Sequence, residues 1–539
     1  MDAQLVGVLV ISVLLLVLYR RHTKLSIAYV RGPKADSFLF GHLRLLANSP
    51  IGQVHYKWQD EFGSVIRYKG FLGKDMLMIS DLKALQYILN TAAYKFDRPE
   101  AVRQALLTQD GPDLVWSEGE QHKRQRKVML PAFGGPEAKA LYPVFKSKVE
   151  HLKTIWKDII SGTDKGTSAT INVNQWLSRA TLDAIGQAAF DYELGMLDNG
   201  ENELGKLYQN FSLDTAPSGK IIADAVLDYL PGPVLKFIFE TLPFRTFIRL
   251  REHRTVTRKV AKQLIDIKGQ ELLEGRGNRD VFSLLIKANG SEQSKSRLTD
   301  EELYAEMSVI FIAGHETTSN SLTWNLYELA KRPVMQRRIR EEIREREAVI
   351  RARGDTEFSL TDIESLAFFQ AFLKETLRMH PVVFALIRRA VKDIVLPLAQ
   401  PIMDVSGKTR SELVVPKGTD ISVPVGCYHR DKTVWGEDAD TFNPERWMKG
   451  DAVKAASPMG VISNLMNFGS GTRSCIGWRF AMTEMQCFLV ELINTFEFGL
   501  PAKDMVFHKV GSIVVVPVLA SEAGKGAQMP LTISIADRD

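Results

Sequence analysis

The chain has 539 residues, 45% hydrophobic and 25% charged, with a formal net charge of +5. This composition excludes widespread disorder, and so small a charge on so long a chain gives no case for nucleic acid as the main partner. Its 3 cysteines, Cys427, Cys475 and Cys487, form no CxxC pair and no even-numbered framework, which argues against a disulfide scaffold or structural zinc and for a reducing compartment.

The uncharged run "LVGVLVISVLLLVLY", Leu5 to Tyr19, is followed at once by Arg20, Arg21 and Lys24. It is short against the roughly 20 residues of a full span, though Met1 to Gln4 can extend it. Against a cleaved signal peptide, the segment before the run carries Asp2 and no Lys or Arg, and no small-residue cleavage site follows. We read an N-terminal membrane anchor over residues 1–20, a basic linker ending near Gly32-Pro33 over 21–35, and a body over 36–539. Positive charge on the C-terminal flank keeps that body cytosolic. The sequons at Asn210 and Asn289 then never meet the lumenal glycosylation enzyme.

Polar, glycine-bearing stretches near residues 161, 197, 289 and 403 read as surface loops. Most segments between them carry helical spacing. Strand-like runs are few: "VIRYKG", "MLMIS", "DISVPV" and "GSIVVVPV". The spacing therefore predicts one large, mainly α body with minor β.

The clearest helix runs from about Asp300 to Lys331. Thr299 and Glu302 form a capping box, Leu298 and Leu303 a hydrophobic staple, and Pro333 ends it. A helix of roughly 48 Å crosses a whole domain, and its apolar middle, "SVIFIAG", predicts burial on all sides. "AGHETTS" interrupts it: Gly314 is costly in a helix, and a threonine hydroxyl can compete for a carbonyl. Glu316 brings an acid into this apolar zone beside Thr317, which suits either a satisfied kink or proton delivery to a bound ligand.

"LTDIESLAFFQAFLKETLRMHP" opens with a second capping box, Thr361 with Glu364. Glu375 and Arg378 share a helical face, which for an isolated pair means a surface ion pair, with Arg446 of "TFNPERW" as a third candidate. Finally, "FGSGTRSCIG" sets Cys475 among Gly469, Gly471 and Gly477, before an apolar helical run. A lone cysteine is usually a small buried hydrophobe, as Cys427 and Cys487 are read. At a helix N-terminus the dipole and free N–H groups favour a thiolate, which is a metal ligand or a nucleophile.

Taken together these motifs resemble the cytochrome P450 superfamily. "FGSGTRSCIG" resembles its haem-ligand loop, which implies haem b with Cys475 as the iron's thiolate ligand, and Phe468 and Arg473 beside the haem. "AGHETT" resembles the oxygen-activation segment, implying Glu316 and Thr317 as the acid–alcohol pair that relays protons. "KETLR" and "FNPERW" resemble the structural triad, here Glu375, Arg378 and Arg446. "HKRQRKVMLPAF" resembles the proximal helix, with Arg126 as a propionate contact and His122 where the family usually has tryptophan. "HPVVFALIRRA" places a further propionate contact at Arg388, with Arg389 a near alternative.

The resemblance implies the P450 fold and a monooxygenase that takes dioxygen, a hydrophobic small molecule and electrons from an NADPH-cytochrome P450 reductase. It also implies an endoplasmic reticulum membrane location and a substrate such as a terpenoid or other fungal specialised metabolite. Lys123, Arg124, Arg126 and Lys127 form either a solvated face or part of the reductase's docking surface. Substrate-pocket walls are expected from Glu100–Asp113, Val309–Gly314, Val382–Ile387 and the turn at Val510–Ile513. The rivals are a haem-thiolate isomerase or peroxygenase and a non-catalytic haem-based sensor.

Overall fold

In a computed structural model the described residues are 25–198, 203–208, 219–274, 280–291, 295–448, 459–511 and 514–537. The proposed anchor, residues 1–20, the start of the linker and the sequon at Asn210 lie outside them. Among the described residues no helix is long and apolar enough to cross a membrane. Asn289 is described, and its side-chain amide is tied to both the N–H and the carbonyl of Leu298, at 2.6 and 3.2 Å.

Helices dominate, and the helix Asp300–Ala330 runs through their middle with most of its side chains buried. Its N-terminus is the capping box expected: Thr299 Oγ1 accepts from the Glu302 N–H at 3.3 Å, and Glu302 Oε2 accepts from the Thr299 N–H at 2.9 Å. Glu302 has a second use. Its other oxygen accepts from Gln121 and Gln125, each at 3.1 Å, and from Arg124. Those three residues belong to the helix Gly119–Met129, so the cap also docks that helix against the central one.

The central helix is α-helical throughout, without a break at Gly314. The glycine has another cause: an added Cβ would lie 2.6 Å from Ile185 Cδ1. Ile185 belongs to the helix Val173–Phe190, which packs directly against the central helix. Close helix approach, not helix opening, requires glycine there.

Among the described residues the minor β structure comprises a five-stranded sheet, a three-stranded sheet and two two-stranded pairs. Three of the expected strands, Val65–Lys69, Asp75–Ile79 and Asp420–Pro424, are adjacent in the larger sheet, and Ala385–Ala390 extends it. The stretch near 403 turns the hairpin between Ile394–Met403 and Thr409–Val415. The second capping box sits two residues earlier than expected: Ser359 and Asp362 exchange the bonds and start the helix Leu360–Glu364. "SLTDIE" offers both frames, and the Arg353 guanidinium settles the choice by binding Asp362 through both of its oxygens at 2.8 and 2.7 Å.

Candidate active site

A cavity of about 270 Å³ lies between the central helix and the segment that carries Cys475. Its far wall is one stripe of the central helix, including Glu306, Val309, Ile310, Ala313, Thr317 and Ser321. These recur at the three- and four-residue steps of a single helix face. Ala313 is open only because it borders this space, while its neighbours His315 and Glu316 are buried. Thr317 borders the cavity, and its Oγ1 donates to the Ala313 carbonyl at 2.7 Å, the competition its sequence position suggested.

Glu316 does not border the cavity. Its carbonyl accepts from Ser319 Oγ at 3.1 Å and Asn320 Nδ2 at 2.8 Å, and its charge is felt by the Tyr208 hydroxyl. Consecutive helical residues point about 100° apart, so the acid and the alcohol lie on different faces.

Opposite, the loop over Met466–Cys475 is built from turns that need glycine at φ +68° (Gly469) and φ +65° (Gly471). It is pinned from several directions. The Cys475 N–H donates to the Phe468 carbonyl at 2.7 Å, which closes the loop shortly before the helix Trp478–Thr495. Asn467 Nδ2 donates to the Leu377 carbonyl at 2.8 Å, and Ser470 Oγ meets Asn90 Oδ1 at 2.8 Å.

The expected triad is buried, not a surface pair. Glu375 and Arg378 are fully buried and joined by two bonds of 2.9 and 2.8 Å. Arg446 Nε and Trp447 Nε1 also donate to that carboxylate, at 3.2 and 2.9 Å. The triad reaches the cysteine loop through His429. Arg378 Nη1 donates to the His429 carbonyl at 2.6 Å, His429 Nδ1 donates to the Arg378 carbonyl at 3.0 Å, and His429 Nε2 accepts from the Met466 N–H at 2.9 Å. Burial and Arg378 hold the His429 ring down at about 3, so it stays neutral and can accept that bond.

Cys475 is accessible only where it borders the cavity and is otherwise enclosed by protein. Burial pushes its thiol up, against the opposing pull of the Gly477 N–H and of Arg126. The helix-terminus argument for a free thiolate is therefore outweighed by desolvation. A metal cation at the sulfur reverses that balance, because a coordinating thiol is deprotonated outright.

His122 and Arg126 both border the cavity, on one face of the helix Gly119–Met129. Arg126 donates to the Ser474 carbonyl at 2.8 Å and to Ser474 Oγ at 3.2 Å. His122 Nδ1 meets the Tyr94 hydroxyl at 2.9 Å, and burial with Arg126 and Arg98 lowers its ring to about 4. Arg473 and Arg98 also border the cavity and share the Glu118 carboxylate, Arg98 at 3.1 Å. Arg98, in "FDRPE", carried no signal in the sequence reading. Arg388 stands behind this group without bordering the cavity. Arg389 is committed elsewhere, to Asp420 at 2.6 Å and Asp228 at 3.1 Å.

Haem fits these residues. Burial, with Arg98 nearby, holds Arg388 down at about 9 and Arg473 at about 10. Arg473 Nε is buried without a hydrogen-bond partner. Crowded guanidiniums of this kind suit a group that brings anionic oxygens, and the neighbouring sulfur suits its metal. Two walls were foreseen, Val309–Gly314 and the start of Val382–Ile387. A third comes from Leu114 and Val115, just past the stretch expected, whereas Val510 takes no part in the lining. Ser512 and Ile513 of that turn lie outside the described residues.

Residues 31–519 match the family profile described as Cytochrome P450. Cytochrome P450 monooxygenase 205 of Postia placenta is 34% identical over 517 residues, covering 94% of this chain and 92% of that protein. Cytochrome P450 monooxygenase 128 of the same fungus is 35% identical over 93% of this chain and 91% of its own length. Cytochrome P450 monooxygenase claQ of Ampulloclitocybe clavipes is 31% identical, with 94% and 92% covered. With this match along almost its whole length, the chain belongs to the cytochrome P450 family of haem-thiolate monooxygenases.

Proposed function

We propose that this enzyme inserts one oxygen atom from dioxygen into a hydrophobic small molecule, with Cys475 as the iron ligand and Thr317 delivering protons on the opposite side. The observation that carries this reading is that the Cys475 segment and Thr317 border the same cavity from opposite walls. Haem bound through a cysteine thiolate supplies the dioxygen chemistry, since the thiolate's electron donation favours O–O cleavage.

The chain's own residues bind, orient and protonate. Arg98 and Arg473, with Arg126, His122 and Arg388 around them, hold the haem carboxylates. Phe468 braces the loop through its carbonyl bond to the Cys475 N–H at 2.7 Å. The Thr317 hydroxyl releases the Ala313 carbonyl to hand on a proton, and Glu316 replenishes it through water from the other helix face. Val309, Ile310, Ala313, Val382 and Val383 keep bulk water out and favour a substrate with few charges, such as a terpenoid or other specialised metabolite.

Residues 1–20 anchor the haem domain, 36–539, to the endoplasmic reticulum membrane through the linker 21–35. Electrons come from an NADPH-cytochrome P450 reductase on the same membrane. Lys123 and Lys127 remain exposed on the helix whose inner face holds His122 and Arg126, which suits an acidic partner. Arg124 is withdrawn from that surface by Glu302 and the Arg297 carbonyl.

Thr317→Ala tests the proton assignment. With purified reductase and a turned-over substrate, the variant should keep its haem while about tenfold or more of its product-forming efficiency is lost to peroxide. Unchanged coupling of NADPH oxidation to product contradicts the assignment.

A further inference from the structure

The cavity-facing stripe of the central helix begins with an acid. Glu306 borders the cavity, is 0% exposed, and neither of its carboxyl oxygens has a hydrogen-bond partner. The Leu114 main-chain N–H faces the carboxyl without closing a well-formed bond. Each of its acidic neighbours has at least one oxygen engaged, although Asp113 Oδ2, like the two Glu306 oxygens, is buried without a partner. Asp110 accepts from Ser308 Oγ at 2.5 Å and Gln109 Nε2 at 2.7 Å, and Asp113 accepts from the Trp116 N–H at 2.6 Å. Glu302 is engaged by the helix Gly119–Met129, as described above. An unsatisfied buried carboxyl is costly, and one that borders a ligand cavity is explained if the ligand completes it.

We propose that Glu306 is the polar anchor of the substrate pocket, binding a hydroxyl or carbonyl oxygen on an otherwise apolar substrate. This rests on the monooxygenase reading of the same cavity. The anchored group is neutral for two reasons. Burial and the adjacent Asp113, Glu302 and Asp110 raise the Glu306 carboxyl well above its ordinary value, which favours the protonated acid. A neutral carboxyl both donates and accepts, which matches a hydroxyl or carbonyl and not a cation.

Position then constrains where oxidation occurs. Glu306, Ala313 and Thr317 lie on one helix face, Ala313 about 10 Å and Thr317 about 16 Å along the axis from Glu306. The oxidised carbon should therefore lie toward the end of the substrate remote from the anchored oxygen. Such a substrate is already oxygenated, so a step that installs a hydroxyl or carbonyl precedes this one.

The test uses the full-length, haem-loaded protein and the spectral shift on ligand binding, with the bicyclic sesquiterpene hydrocarbon drimane, its alcohol drimanol and the trimethylammonium analogue of drimanol. The parent protein should bind drimanol about tenfold more tightly than drimane. Glu306→Leu should erase that preference by weakening drimanol about tenfold, with drimane held within about twofold. Glu306→Gln, which keeps a neutral donor and acceptor, should stay within about threefold of the parent for drimanol.

Equal affinity of the parent for alcohol and hydrocarbon overturns the anchor, as does an equal loss of both, or no loss of either, in Glu306→Leu. Preference for the ammonium compound that disappears in Glu306→Gln overturns the neutral-oxygen assignment. A thiolate-type carbon monoxide spectrum in all three proteins confines any such failure to Glu306. Its absence from the parent would instead contradict the haem-thiolate reading itself.

Discussion

Behind Cys475 the loop is fixed by groups from distant segments: Asn90 on the Ser470 hydroxyl, the Leu377 carbonyl on the Asn467 amide, and, on the main chain, His429 at Met466 and Arg126 at Ser474. Across the cavity, the helix that carries Thr317 is tied to distant segments at residues that do not line the space, where Thr181 Oγ1 donates to the His315 carbonyl at 3.1 Å and Ser308 Oγ to Asp110 at 2.5 Å, while its cavity face depends on packing. It is shaped by Val309, Ile310 and Ala313 and by the close approach of Ile185 to Gly314. On the proposed function the first wall holds a charged, flat group at a defined place, which accounts for its being over-determined by charge and hydrogen bonds. On the same proposal the second provides a shape and a proton, which apolar packing can do with many residue combinations.

The largest expected effect comes from breaking the fixed wall at its root. Arg378→Ala leaves Glu375 buried without its main partner and removes the guanidinium that holds the His429 and Thr441 carbonyls. Breaking such a buried pair costs about 3–5 kcal/mol. The variant should melt well below the parent and purify with little haem. A melting temperature and haem content equal to the parent's would show that the cysteine loop is held independently of the triad.

Filling the packed wall should cost less. Gly314→Val places a carbon 2.6 Å from Ile185 Cδ1, or forces the two helices apart, at about 1–3 kcal/mol for overpacking. The double variant Gly314→Val, Ile185→Ala should recover most of that stability in thermal melts. No recovery would mean that glycine serves the helix backbone itself.

The smallest effect concerns pH. The His122 ring falls from its ordinary 6.5 to about 4 in the folded chain. Between those values the unfolded chain binds a proton that the folded chain does not, so stability falls as pH drops through that window. His122→Gln should make the fall shallower, seen as a reduced dependence of the denaturation midpoint on pH between about 6.5 and 4. An unchanged slope would assign it to the other buried histidines, among them His253, His315 and His429.

The same contrast governs how much was legible in the sequence. Cys475 with its glycines, and Glu375, Arg378 and Arg446, could be singled out because they stand in short motifs that resemble the family's, and the structure joins the last three in one buried cluster. The cap at Thr299 and the strands Val65–Lys69 and Asp75–Ile79 could be read from local pattern. Arg98 could not, since it joins Arg473 only through the fold. Glu306 did have a signal, an acid about two turns ahead of Ala313 on the same helix face, but its lack of a partner is visible only in three dimensions. Gly314 was assigned a helix break because a sequence does not show Ile185 across the helix interface. The hairpin strand Ile394–Met403 was hidden by Pro397 and Pro401, which interrupt its alternation and coincide with an irregular register.

The most direct test of the central claim is the carbon monoxide spectrum of the reduced, full-length protein and of Cys475→Ala. The parent should show the Soret band typical of a thiolate-ligated haem, and the variant should lack it while keeping the parent's far-ultraviolet circular dichroism. The same band in the variant would mean that some other side chain holds the iron, and the assignment of Cys475 would be wrong.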